Sequence, residues 1–560
     1  MIVSLLLWLG CAPHTPTPAP PISTPLVDAR PTLASLDFPG DPVLASAARA
    51  VLETLFELHP DLPASTGLLA DGLRLPSYSP EAVARQLVAL DVAALRLGLI
   101  EPRKLSVADR IDHTLLVAAV ESARHSRAVE QRWRHRPAEW LEPLASILMA
   151  HSSAPDPIPG AMATIAEQVP AMIDEMRSEV TAPTRQDTQT ALGLLDGLAG
   201  MFEAQPGCEA AAIALRDYHA ELSALPDDLP EMQMIGAEAY RWRLEHALLL
   251  AWSPEELLAR AEAELEVVEA EIMALSILIT PHELPTAEEE AIAASLDAAG
   301  FLALHDRMVS DQLSLLRGMG VLTVPADLLP LRARPTPAAL IPLTGDGGSM
   351  SPVAPFGVTE GAWWNVEQFR DIGVDGVVDM YRHQDTWFGP YAAHEGVPGH
   401  HLQLAITRDN PRPVRKLLQS TPAVEGWALS AEELFEQNGG FGGAERGRLL
   451  TLNSYRARIK RVIFDVRVET GEWTLQQAAD WKHGAAPGEG RIDPELLRTV
   501  QWPTQLISYY AGKAEIVALR AELEAAWGEA FSEQAFHDAL LAEGPIPVSL
   551  AREALLAAGP

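Results

Sequence analysis

From about Thr32 onward, apolar positions recur every three to four residues, the period of helices that bury one face. The clearest case starts at Ser253-Pro254-Glu255-Glu256, with serine placed to cap, proline at the first helical position and glutamate at the third. Leu257, Leu258, Ala261, Leu265, Val268 and Ile272 then share one face of a long amphipathic helix. Thr474-Leu475-Gln476-Gln477 repeats that capping pattern. Ser532 is placed to cap the helix carrying "EQAFHDALLAEG", and Gly544 followed by Pro545 is a fitting stop.

One region breaks this pattern. Between Arg332 and Phe369 the chain is rich in proline and glycine, with short runs suited to edge strands. No repeat of fixed period and no alternation of strand and helix occurs. The expected fold is therefore mainly α, large and two-lobed, with a small β-sheet or edge strand near an active-site cleft. The expected division is a tether over 1–31, a helical N-terminal lobe over 32–330 and a second lobe over 331–560.

Composition narrows the classes. At 560 residues and 48% hydrophobic, the chain can bury a sizeable core. A net charge of -34 repels phosphate backbones and argues against nucleic acid as a partner. Only Cys11 and Cys208 are present, which excludes a disulfide framework and a thiolate cluster; Cys208 reads as a small buried residue.

The N-terminus has its own pattern. An apolar run from Ile2 to Gly10 is too short to span a bilayer and fits the core of a signal peptide. Seven prolines follow between Ala12 and Pro31, a stiff extended tether. Gly10-Cys11 before such a tether looks like a lipoprotein processing site, with Cys11 as the lipidated residue. The expectation is an exported protein, periplasmic or on the outer membrane, touching the membrane only through that anchor. The absence of Lys or Arg before the run, and Trp8 where leucine is usual, depart from the pattern.

The chemistry concentrates in "YAAHEGVPGHHLQL", Tyr391 to Leu404. Zinc takes nitrogen and carboxylate ligands at about 2.0–2.2 Å, and helical zinc sites usually draw two histidines from one turn of helix. Here the second histidine is His400, six residues after His394, or His401, seven after. On a regular helix, six residues leave the side chains about 120° apart and roughly 9 Å apart along the axis. Seven restore the face but separate the rings by about 10.5 Å. Neither pair could share an ion unless the helix breaks. Pro398 and Gly399 supply the means, since proline disfavours helix at the residue before it and glycine tolerates unusual paths.

A third ligand would come from a following helix, where Glu425 heads "EGWALSAEEL". Glu395, beside His394, would serve as general base. The same cluster could also be a polar turn, so spacing alone leaves both readings open.

Taken together, "HEGVPGHHLQ" and "EGWALSAEEL" resemble the bacterial family known as domain of unknown function 885, whose members are often lipoproteins and resemble gluzincin zinc metallopeptidases. "RVIFDVRVETGEWTLQQA", "PTQLISYYAGKAEIVALR" and "FHDALLAEGPIPVSL" extend the resemblance, so that agreement runs from about Ser253 to the C-terminus. The resemblance implies a zinc peptidase with one ion per chain, held by His394, His400 and Glu425, with Glu395 as base. His401 is the alternative ligand, or a substrate contact. Tyr509 would donate to the oxyanion of a tetrahedral intermediate. Trp363, Trp364 and Asn365 would lie on an edge strand that pairs with an extended peptide.

Ligation by two histidines and a glutamate favours zinc over manganese or cobalt. Asp465 and Arg461, one helical turn apart, would pair behind the site. Glu469, Thr504 and Ser430 depart from the family pattern, which has histidine, glycine and tyrosine there. The implied activity is hydrolysis of short or unfolded peptides. A binding module without catalysis, or a hydrolase of another amide, are the alternatives.

Overall fold

The computed structural model describes residues 30–278, 291, 294–344, 348–369, 388–441 and 444–560. Cys11, the apolar leader and most of the tether lie outside them. The fold is mainly α, with one small sheet of three strands among the described residues. No described helix is long and apolar enough to cross a membrane.

Six helices position the site: α1 (Pro254–Leu278), α2 (Phe388–Glu395), α3 (His400–Thr407), α4 (Thr421–Gln437), α5 (Ala444–Glu469) and α6 (Ser508–Trp527). α1 begins where the sequence places it. Glu256 N–H donates to Ser253 Oγ at 3.2 Å, and Ser253 N–H donates to Glu256 Oε2 at 2.9 Å, which satisfies donors the helix cannot. Leu257, Ala261 and Val268 are buried against Ile459, Val462 and Ile463 of α5 and Ile507. Thr474 and Gln477 form a second reciprocal cap, and Ser532 caps Glu533–Ala542.

The largest hydrophobic core joins Val51, Leu52 and Leu116 from the first part of the chain to Val397, Trp427 and Phe536 from the last. The metal-motif helices are therefore held by packing from both halves. The buried residues of a second core, around Trp133, Trp140 and Phe202, all come from residues 64–222, with Leu343 packed against them. Cys208 is buried there with a free thiol, as its composition suggested.

The sheet falls in the predicted stretch but in a different arrangement. Strands β1 (Leu331–Pro335), β2 (Ser349–Ser351) and β3 (Ala362–Val366) stack in the order β1-β3-β2. β3 runs parallel to β1, with Arg334 opposite Asn365, and antiparallel to β2, with Met350 opposite Trp364. The expectation of an edge strand at Trp363, Trp364 and Asn365 is thus corrected: β3 is central. Its backbone groups are committed on both sides, so no peptide can add to it there. Trp364 is fully buried between His305 and Tyr391, with ring centroids 4.9 and 5.3 Å away.

Candidate metal centre

The helix carrying His394 does stop. α2 ends at Glu395, a turn spans residues 396–399, and α3 begins at His400. The Val397–Pro398 peptide is cis. Gly399 passes so close to the preceding turn that a Cβ would lie 2.0 Å from the His394 carbonyl oxygen, so only glycine fits. Trp427, of the "EGW" motif, donates its indole N–H to the Pro398 carbonyl at 2.9 Å and holds the break in place.

That break brings His400 back beside His394, with ring centroids 4.7 Å apart and planes at 82°. Glu425 arrives from the first turns of α4. Its Oε2 lies 3.4 Å from His394 Nε2 and 3.4 Å from His400 Nε2. A charge-assisted N–H···O bond is shorter, about 2.7–2.9 Å, whereas ligands about 2.05 Å from one tetrahedral ion sit roughly 3.3 Å apart. Glu425 Oε2 is buried and accepts no hydrogen bond. The donor set and its spacing therefore fit a single divalent ion. All three ligand atoms lie within 4.8 Å of one another, looser than the ~4 Å a closed site requires.

His401 goes elsewhere. Its Nε2–H donates to the Leu329 carbonyl at 2.7 Å, and the ring is buried. Burial, against that one carbonyl, lowers its pKa to about 4, so it stays neutral. The choice between the two histidines resolves to His400 on geometry.

Electrostatics sharpen the picture. Burial works against a charge on His394, but Glu425, Glu432 and Glu395 overcome it and push the imidazole up to about 10. Burial likewise opposes ionisation of Glu425, yet the two imidazoles hold its pKa well below the usual carboxylate range. Glu395 is raised, chiefly by burial and also by Glu425, against the pull of His400, His394 and Arg458. Raising a carboxylate toward neutrality makes it a better proton acceptor at physiological pH.

Glu432 was not anticipated. Its Oε1 accepts from His394 Nδ1 at 2.8 Å, while Oε2 accepts from Ser454 Oγ, and the Arg458 guanidinium lies 3.7 Å away. A carboxylate behind a ligating imidazole fixes which ring nitrogen faces the metal. The signal was present in the sequence: Glu432 is seven residues after Glu425, two turns along the same helix face.

Tyr509 lies against the cluster, its ring stacked 6.0 Å from His394. α6 reaches this position because Gly426 and Gly512 let α4 and α6 approach closely; a Cβ on Gly426 would fall 2.3 Å from the Gly512 backbone. The Tyr509 hydroxyl accepts weakly from Arg498 Nη2 at 3.3 Å and Gln505 Nε2 at 3.4 Å, which leaves its own proton free to donate.

The expected Asp465–Arg461 pair does not form. Arg461 reaches Glu495 at 2.6 Å and covers the Tyr509 ring at 4.7 Å. Asp465 instead accepts from the Tyr240 hydroxyl at 2.7 Å. Spacing of four residues permits such a pair, but a long arginine takes the partner that also stacks on an aromatic face.

Fold and site together define a large, mainly α-helical protein with a buried His-His-Glu cluster suited to a divalent ion. The chain belongs to the family described as "Bacterial protein of unknown function (DUF885)", matched over residues 60–555. The match begins well before Ser253, so the family likeness covers the first half as well. No curated protein matches the chain. Solved structures that share the fold include two bacterial proteins. A "putative lipoprotein of unknown function" from Shewanella oneidensis is 19% identical, with TM-score 0.72, over 92% of this chain and 99% of that one. A "putative lipoprotein" from Colwellia psychrerythraea is 17% identical, with TM-score 0.69, over 91% of this chain and 98% of that one.

Proposed function

We propose that the chain is an exported, zinc-dependent peptidase that cleaves short or unfolded peptides, with Glu395 as general base. The observation that carries this reading is the single Glu425 oxygen 3.4 Å from both His394 and His400. His394, His400 and Glu425 would hold the ion. When bound, it supplies Lewis acidity that lowers the pKa of a water toward about 7 and polarises a carbonyl.

The remaining chemistry belongs to side chains. Glu395 takes the proton of the attacking water as the new C–O bond forms, then returns it to the leaving amine as the C–N bond breaks. The free Tyr509 proton stabilises the oxyanion of the tetrahedral intermediate. Glu432 holds His394 in one tautomer, with Nδ1 protonated. Export through a lipid anchor at Cys11 is supported by the Gly10-Cys11 junction and by the description of both structural relatives as lipoproteins.

The test pairs metal analysis with turnover of a mixed peptide library. Wild type should carry about one zinc per chain and cleave peptides, while Glu395→Ala should keep the metal and lose about 10²–10⁴-fold in rate. A wild-type chain with neither stoichiometric zinc nor turnover would leave a binding module as the better description.

A further inference from the structure

Away from the metal cluster, a cavity of about 750 Å³ lies between the sheet and the helix Ala138–Ser153. Its size is that of a small-molecule site. It shares no lining residue with the His394–His400–Glu425 cluster, nor with Glu395 or Tyr509. The strand alternation explains the separation. Trp364 points toward Tyr391 of α2, so its neighbours Trp363 and Asn365 point to the opposite face.

On that opposite face sits Arg334. Its Nε donates to Asn365 Oδ1 at 2.7 Å and its Nη2 to Ser351 Oγ at 2.9 Å, both neutral acceptors. Two of five guanidinium N–H groups are thereby engaged, and no carboxylate pairs with Arg334 among the described residues. The guanidinium lies 5.2 Å from the centre of the Trp363 ring, which helps to hold its plane. Burial lowers its pKa, the mark of a cation lacking compensation.

The charge of the lining is unusual for this chain. Arg30 and Arg334 face a single acid, Asp156, which Arg30 already engages at 3.0 Å. In a protein of net charge -34, Arg334 thus meets no carboxylate among the described residues of this cavity wall. The rest of the wall is largely apolar, including Leu69, Met149, Leu340 and Val358.

We propose that the Arg334 cavity binds an amphipathic ligand through a free carboxylate, the carboxylate on the Arg334 guanidinium and the apolar part against the wall. One guanidinium with protons left on both Nη atoms matches a singly charged, planar, two-oxygen anion. A phosphate, with more charge, would call on a second cation, and the other arginine of the described wall, Arg30, is already paired with Asp156. The inference stands independently of the peptidase reading. Two sources share the chemistry: the C-terminus of a peptide and a free aliphatic acid.

The test is calorimetric titration of the full chain with N-acetyl-leucyl-leucine, its C-terminal amide, octanoate and octanamide. The chain is pretreated with chelator, and the titrations are repeated in Glu425→Gln, so that binding at the metal cluster is separated. At least one acid should bind about tenfold or more tightly than its amide. Arg334→Met should abolish that preference, and Glu425→Gln should leave it intact. Should Arg334→Met fail to fold by circular dichroism, Arg334→Lys decides, with the preference expected to fall severalfold as the two-pronged contact is lost. The dipeptide alone showing the preference assigns peptide C-termini, and octanoate alone assigns aliphatic acids. Equal binding of acids and amides, no binding of either acid, or a preference unchanged in the Arg334 variants overturns the proposal.

Discussion

His394 Nδ1 lies 2.8 Å from Glu432 Oε1, so the imidazole that faces Glu425 on one side is anchored by a second buried carboxylate on the other. Glu432 is in turn fixed by Ser454 and neighboured by Arg458, both from α5. The orientation of one ligand thus depends on three helices, α2, α4 and α5.

Removing the Glu432 charge should loosen the metal without removing a ligand. Glu432→Ala is expected to weaken zinc affinity by about 10–100-fold, with Glu432→Gln closer to wild type because its amide oxygen can still accept from Nδ1. Competition against a chromophoric chelator measures both. Equal affinity in all three proteins would show that the contact is structural only.

The two adjacent histidines should separate cleanly. His400→Ala should lose stoichiometric zinc after dialysis, whereas His401→Ala should retain it. The His401 change leaves the Leu329 carbonyl without its donor and should cost about 1–3 kcal/mol of stability instead. Elemental analysis beside a denaturant titration reads out both effects. Metal loss in His401→Ala alone would reverse the ligand assignment.

Glu469 should make stability depend on pH. Burial raises its pKa from 4.5 to about 7, with Ile235 N–H and the Arg132 and Arg243 guanidinium groups opposing the rise. The folded state therefore holds this proton more tightly than the unfolded chain does. Its ionisation is a destabilising cost present in full above about pH 7 and relieved as pH falls toward 4.5. Glu469→Gln should stabilise the protein at pH 8 by roughly 3 kcal/mol and flatten the profile between pH 5 and 8. Asp465, raised well above the usual carboxylate range by burial and by Glu469, leaves a slope of the same sign. Denaturant midpoints across that range decide the matter, and an unchanged slope in the variant would count against it.

Thr504 takes φ +73°, a left-handed conformation that a β-branched residue adopts only under strain. This explains why glycine suits the family pattern at that position. Thr504→Gly should relieve about 1–2 kcal/mol, offset by about 0.5–1 kcal/mol from the greater freedom of glycine in the unfolded chain. A rise in the thermal midpoint of about 1–2 °C by calorimetry is expected; a fall would mean that the buried threonine packs better than its backbone suggests.

Local physics was readable in the sequence. The caps at Ser253, Thr474 and Ser532, the predominance of helix and the place of the small sheet all depend on interactions within a few residues. The break at Pro398-Gly399 was legible for the same reason, because the two residues constrain their own backbone. The break left His400 and His401 both open as partners of His394, with Glu425 as the candidate third ligand.

Partner choice required the tertiary structure. Glu432 meets His394 across 38 residues, and Tyr240 takes Asp465 across 225. Nothing local ranks such partners above a neighbour one helical turn away, which is why Arg461 could not be assigned to Glu495 from spacing. The position of β3 was undetermined for a related reason, since a strand is central or edge only through the strands that pair with it. The sequence by itself determined where helices start, where one must break and which side chains can ligate. Packing between distant helices decided that His400 rather than His401 turns toward Glu425, because only the folded chain fixes the path of α3 against α4.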